Sequence, residues 1–301
     1  MMIFFSFASS NFLTVRNLMN VIKQVSIYGI ASVGMTYVIL LGGIDLSIGS
    51  IISLVNIVAA YFMVNLGWNP VAAVILSLLI STAIGFMNGS IIAELHMPEL
   101  IVTFASQTIF AGLAYIICGG TPISRFPDSF LAMGQGYVGF IPVPVIIMAV
   151  IFAIGWFISE KTYFGRYFYA LGGNEEAAQL SGINVKKIKY LVYSLSGFFA
   201  GIAGLVMLAR ANTGQPNAGV GYEFDVITCV VLGGVSTTGG SGKMSNVIAG
   251  VMIIGVLQNG MVLLNISSYT QMVVKGIILL VAVGADCVQK QRMAKVKKAA
   301  A

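Results

Sequence analysis

What this sequence lacks first is charge. Only 9% of its 301 residues are Asp, Glu, Lys or Arg, against about 25% in an ordinary soluble domain. Too little polar surface remains to face water, which excludes a globular soluble fold. Histidine occurs once, as His96 in the loop AELHMPEL beside Glu94 and Glu99. With no partner cluster it reads as a solvated loop residue, so a histidine-based metal site or acid–base pair is not expected. Cys118, Cys229 and Cys287 sit in or at the ends of apolar runs. They show no CxxC or metal-ligand spacing and read as small core residues.

A nucleotide loop is missing as well. The glycine-rich stretch VVLGGVSTTGGSGKMS, residues 230–245, ends in Gly242-Lys243. The phosphate-binding pattern G-x-x-x-x-G-K-[ST] would need Gly at Thr237 and Ser or Thr at Met244. The stretch also follows an apolar run, so it reads as a flexible turn, and any nucleotide-driven work falls to another subunit. Acidic residues inside the apolar runs are also scarce. Asp45 is the one read there, which offers no relay of the kind a proton-coupled carrier needs. The net charge of +6 could suit nucleic acid, but Lys and Arg cluster beside apolar spans, as membrane topology demands. No nucleic-acid partner is expected.

What is present is hydrocarbon. Apolar residues make up 58% of the chain, in continuous rather than alternating runs, which favours helices over barrel strands in lipid. The runs cover about 25–43, 46–64, 70–93, 101–118, 142–158, 191–209, 223–238, 246–264 and 272–286. The expected fold is an all-α polytopic transmembrane helix bundle, one domain over 1–301 with about ten spans when complete. MMIFFSFASSNFLTV is too short to span and has no basic signal-peptide region; it reads as the tail of a truncated first span. Runs 223–238 and 272–286 are short of the roughly 20 residues a crossing takes, which suits helices buried inside the bundle. Glycines inside spans, such as Gly201, Gly204, Gly250 and Gly255, predict close helix approach.

Loop charge sets orientation. The segment 159–190 holds Lys161, Arg166, Lys186, Lys187 and Lys189, and the tail 287–301 holds Lys290, Arg292, Lys295, Lys297 and Lys298. Both should be cytoplasmic, and the four runs between them allow it. Loops 119–141 and 210–222 then face outward with one arginine each, Arg125 and Arg210. Arg16 and Lys23 would fall outside, which predicts a short interfacial helix, NFLTVRNLMNVIKQ, holding both at headgroup level.

Three motifs rise above this background. GGIDLSIGS, residues 42–50, joins two apolar runs without a hydrophilic loop. An Asp within a span costs about 2.5–3.5 kcal/mol. It reads either as a polar break lining a substrate path or as a tight turn whose Asp45 caps a helix, with Ser47 suited to the N-cap. Residues 164–190 contain a short punctuated helix. Asn174 suits its N-cap, Glu175 and Glu176 its first turn, Gly182 its left-handed end, and Asn184 caps the next helix. Such a helix is too short to persist without docking; it is a surface connector or a receiver of force from a cytoplasmic partner. The third motif is the turn at 230–245, expected near the second. Asn56, Asn88, Gln107, Gln258, Asn259 and Lys275 are isolated polar residues within runs. Each suits an interhelical hydrogen bond or a substrate contact; Lys275 can snorkel to the interface.

Together and in this order these motifs resemble the permease subunits of bacterial ABC importers for ribose and related monosaccharides. The residues that carry the resemblance are GGIDLSIGS at 42–50, FGRYFYALGGNEEAAQLSGINVKKIKYLVYSLSGFFAGIAG at 164–204, GYEFDVITCVVLGGVSTTGGSGK at 221–243 and SYTQMVVKGIILLVAV at 268–283. The resemblance implies a multi-pass protein of the bacterial inner membrane with a cytoplasmic C-terminus. It would work as a homodimer or pseudo-dimer with cytoplasmic ATP-binding subunits and an extracytoplasmic sugar-binding protein. ATP and Mg would be bound by the partner, no cofactor by this chain, and no enzymatic step would belong to it. By the same resemblance Gly173, Asn174, Glu175, Glu176, Ala177, Ala178, Ser181, Gly182 and Asn184 form the ATPase-coupling loop. Asp45, Ser47, Asn56, Gln107, Gln258 and Asn259 are candidates for the path. Permeases for nucleosides or branched-chain amino acids are alternative members, and an ion-coupled secondary transporter is an alternative class.

Overall fold

A computed structural model describes the backbone of residues 1–300 and the side chains up to 288, with Lys290. The side chains of Arg292, Lys295, Lys297 and Lys298 in the basic tail lie outside the described residues. Among the described residues the chain forms thirteen helices: α1 (Met2–Ala8), α2 (Val15–Leu40), α3 (Ile48–Val64), α4 (Pro70–Leu95), α5 (Glu99–Cys118), α6 (Asp128–Gln135), α7 (Val143–Lys161), α8 (Tyr163–Gly173), α9 (Glu175–Leu180), α10 (Val185–Ala211), α11 (Tyr222–Leu232), α12 (Met244–Leu263) and α13 (Ser268–Ala300). Four two-residue strands, β1 (Ile123–Ser124), β2 (Tyr137–Val138), β3 (Ile141–Pro142) and β4 (Thr213–Gly214), pair antiparallel as β1–β4 and β2–β3.

Among the described residues, length and apolarity qualify six helices to cross a membrane: α4, α5, α7, α10, α12 and the Ser268–Val288 part of α13; α3 is a shorter apolar helix. The protein is a polytopic membrane helix bundle. Burial sorts its layers. The apolar window of α10 is 72% buried, that of α5 22%, and that of α13 is not buried at all. Residues 25–40 of α2 and 48–60 of α3 are likewise enclosed, so α2, α3 and α10 form the centre. Continuous apolar sequence explains both sets, since lipid and bundle interior ask for the same side chains.

Small residues let the central backbones touch. A Cβ on Gly197 of α10 would strike the Ser81 carbonyl of α4, and one on Gly85 of α4 would strike the Tyr193 carbonyl. The close approaches expected at Gly204 and Gly250 are to the Ile52 and Cys229 carbonyls.

Several expectations need correction. The proposed interfacial helix does not exist as a separate element. Thr14 caps a single helix of 26 residues, and Lys23 lies 4.2 Å from the Tyr137 ring. An aromatic face from an outer ribbon thus receives the cation, and no kink is needed. The run 223–238 is helical only to Leu232, giving 11 residues. Gly233, Gly234 (φ +79°) and the turn beyond end it. The loops at 119–141 and 162–174 also hold helices, α6 and α8, whose apolar faces pack on the bundle.

Candidate translocation and coupling sites

The α2–α3 turn is at one end of the bundle, not halfway along a span. Gly240 N donates to Leu40 O at 2.9 Å, and a Cβ on Gly172 of α8 would strike the same carbonyl. The glycine-rich turn therefore sits against the α8–α9 segment, as anticipated. Tyr169 of α8 donates to Gly242 O at 3.0 Å, and burial raises the Tyr169 pKa, which keeps that donor protonated. Thr237 donates through N and Oγ1 to Asp286 of α13, at 3.1 and 2.8 Å, and Lys290 pairs with Asp286 at 2.6 Å.

Asp45 is fully buried in this turn and well bonded. It accepts from Ser47 N at 3.0 Å, Ser47 Oγ at 2.5 Å and Ser196 Oγ of α10 at 2.7 Å. Ser47 accepts in turn from Asn88 Nδ2 of α4 at 3.0 Å, and Asn88 accepts from Ser106 of α5. One buried chain of hydrogen bonds thus joins the turn to α4, α5 and α10. Ser47 stands at the N-cap position of α3, but its hydroxyl makes no cap bond; it donates to Asp45, whose own oxygen receives the Ser47 amide. The Asp45 carboxylate thereby lies beside the first turn of α3, near its positive end.

The short helix α9 has the punctuation read from sequence. Asn174 Oδ1 accepts from Ala177 N at 2.9 Å, Gly182 has φ +86°, and Asn184 Oδ1 accepts from Lys187 N at 3.0 Å. Glu175 and Glu176 occupy the first turn; Ala178 is buried and Ser181 donates back to Ala177 O. What ties α9 to the bundle is Lys189 of α10. Its Nζ lies 3.0 Å from Glu175 and 3.9 Å from Glu99 of α5. Glu99 and the Tyr193 hydroxyl crowd Gly43, where a Cβ would collide with the carboxylate. A cleft of about 440 Å³ lined by His96, Glu99, Glu175 and Lys189 opens beside this bridge. Sequence reading missed Glu99 and Lys189, whose meeting depends on tertiary placement 90 residues apart.

The other candidates separate into pins and cavity residues. Asn56 bonds Gly204 O at 3.3 Å and receives Gln215 N at 3.0 Å; Asn259 exchanges two 2.9 Å bonds with Asn17. These are buried interhelical pins. Gln107 donates to Glu223 Oε1 at 2.8 Å. Gln258 bonds Tyr28 and lines a cavity of about 520 Å³ together with Asp225 and Lys275. Lys275 does not snorkel away: its Nζ is 2.7 Å from Asp225 Oδ2.

Asp45 is therefore not the one buried carboxylate in the bundle. Glu223 and Asp225 are 2% and 4% exposed in the first turn of α11. The signal was available, since two acids within four residues of Gly221, at 223 and 225, mark a helix start. The half-helix α11 thus bonds α5 through Glu223 and α13 through Asp225.

Buried polar pins, one half-length helix and a short helix docked at one end are the polar features of this membrane bundle. Residues 17–283 match the family described as branched-chain amino acid transport system / permease component, and the chain belongs to that family. It is 45% identical over 285 residues to the ribose import permease protein RbsC of Haemophilus influenzae, covering 93% of this chain and 88% of that one. Identity to the Bacillus subtilis ribose import permease protein RbsC is 44% over 288 residues, covering 95% and 89%. The L-arabinose transport system permease protein AraH of Escherichia coli K12 is 40% identical over 276 residues, covering 91% and 83%. No solved structure matches this chain significantly.

Proposed function

We propose that this chain is the permease subunit of an ABC importer for a monosaccharide, a ribose-like pentose or related sugar. The observation that carries the reading is identity of 44–45% to ribose permeases across more than nine-tenths of the chain. Permeases for xylose and L-arabinose also align along most of it, which favours a sugar over the amino acids in the family description.

The subunit works in the bacterial inner membrane as about ten spans, with its C-terminus, residues 287–301, in the cytoplasm. A second copy or a homologous permease completes the path. Cytoplasmic ATP-binding subunits supply ATP and Mg, and an extracytoplasmic sugar-binding protein delivers cargo. Residues 159–190 form the coupling loop, with Gly173, Asn174, Glu175, Glu176, Ala177, Ala178, Ser181, Gly182 and Asn184 at its tip. The exposed first turn of α9 and the Lys189 bridge beneath it support that role. Movement of α9 reaches Glu99, Gly43 and the Asp45 network, so Asp45 and Ser47 position helices at the inner end of the path. Alternating access follows when two arrangements of these helices are biased by ATP.

The test is uptake into proteoliposomes holding this chain, its ATPase and its binding protein, with labelled ribose, arabinose, xylose, leucine and adenosine compared. ATP-dependent uptake of a pentose is expected. Uptake of leucine or adenosine alone, or uptake without the ATPase, would sink the reading.

A further inference from the structure

The cavity between α11 and α13 has a chemistry that helix packing does not require. Its polar wall carries Asp225, Lys275 and Gln258. Its aromatic wall is the Tyr28–Tyr222 stack, with ring centroids 4.8 Å apart. A volume of about 520 Å³ falls in the range of roughly 300–1,000 Å³ common to small-molecule sites.

An ion pair inside a membrane bundle is costly in desolvation, and well-packed apolar residues hold helices together at least as well. Ionisable groups survive there where they face a water-filled cavity, and they mark the route of polar cargo. Lys275 is placed in this way. Its side chain is 23% exposed beside a nearly enclosed Asp225, so the ammonium faces the cavity while the carboxylate anchors it. Asp45, Asn56 and Asn259 are instead bonded to neighbouring helices and line neither of the two cavities described above.

Resting on the monosaccharide reading above, we propose that this cavity is a sugar-contact site on the translocation path. Lys275 and the Gln258 amide donate to ring and hydroxyl oxygens, and the Asp225 carboxylate accepts from hydroxyls. The tyrosine pair offers an apolar wall to the C–H face of the ring. The bonds are few and shared with an internal ion pair, which gives a site that holds a pentose in passing and then lets it go.

The test uses the complete importer in proteoliposomes, with labelled D-ribose and 2-deoxy-D-ribose. Asp225→Asn/Lys275→Gln is expected to raise the apparent KM for ribose at least tenfold and to shrink the preference for ribose over deoxyribose. The charge exchange Asp225→Lys/Lys275→Asp keeps an ion pair but reverses its ends. It is expected to remain as impaired; restoration of ribose KM by the exchange would make the pair a mere clamp and overturn the proposal. A variant that keeps the pair gives a second readout where assembly fails. Met272→Cys lines the same cavity and is well exposed. In a Cys287→Ser background, millimolar ribose is expected to slow its reaction with a water-soluble thiol reagent. No protection by ribose, in a complex that does import ribose, would overturn the site while leaving the importer reading intact. Failure of the unmodified complex to import any sugar would remove both.

Discussion

Lys189→Ala is expected to loosen the link between ATP hydrolysis and uptake. The Nζ of Lys189 lies 3.0 Å from Glu175 on α9 and 3.9 Å from Glu99 on α5, and its side chain is only 14% exposed. Glu175 is half exposed, so water screens that half of the bridge to about 0.2–1 kcal/mol. The Glu99 half is longer but better shielded, and a further ~1 kcal/mol is the right scale for it. Together these make about 1–2 kcal/mol, or roughly five- to thirtyfold in the balance between docked and undocked α9. Sugar imported per ATP hydrolysed, measured in proteoliposomes, should fall in that range, and Lys189→Arg should keep most of it. An alanine variant whose ratio stays within twofold of the unmodified complex would refute the bridge as a coupling element.

Three other outcomes follow from the same geometry. Asp45→Ala strips the acceptor from three buried donors, at about 1 kcal/mol each. Thermal unfolding of the detergent-purified protein should therefore begin several degrees lower, with Asp45→Asn less affected; equal melting of the alanine variant would argue against the network. Gly197→Leu should wedge α4 from α10 and abolish monodisperse protein on size exclusion. Gly112→Leu, where an added Cβ meets nothing within 4 Å, should be tolerated. Gly182→Ala forces a side chain into φ +86° at about 1–2 kcal/mol. It should lower stimulated ATP hydrolysis while leaving the purified permease monodisperse, and unchanged hydrolysis would speak against the role of α9.

Helix placement was largely legible because lipid imposes length and apolarity on each segment in isolation. The caps of α9 were legible for the same reason: Asn174, Gly182 and Asn184 act on backbone groups within three residues of themselves. Legibility failed where the deciding partner is distant. Asp45 reads as path or cap from sequence alone, and the bond it receives from Ser196, 151 residues away, leaves no trace there. The end of α11 was misread because its apolar count ran on through Val235. Glycine geometry at 233 and 234 ends the helix, and hydropathy carries no trace of that. Lys189 was counted as one of several loop cations, since nothing nearby in sequence distinguishes it from Lys186 and Lys187.

The continuity of α10 has a mechanical consequence. The helix runs unbroken for 27 residues, about 40 Å, from Val185, one turn before the Lys189 bridge, to the turn at Asn212. Its tie to Asp45 through Ser196 is off centre: seven residues, roughly 10 Å, lie on the Lys189 side and sixteen, roughly 24 Å, on the other. Were Ser196 the pivot, the rod would be a lever with unequal arms, its longer arm resisted by Asn56 on Gly204 O and Gln135 on Ala209 O. A tilt imposed through α9 would be reproduced at the far end more than twice as large, against β4 and α6. A displacement of about 1 Å at the Lys189 end would then move the Asn212 end by roughly 2 Å, more than the radius of a water molecule.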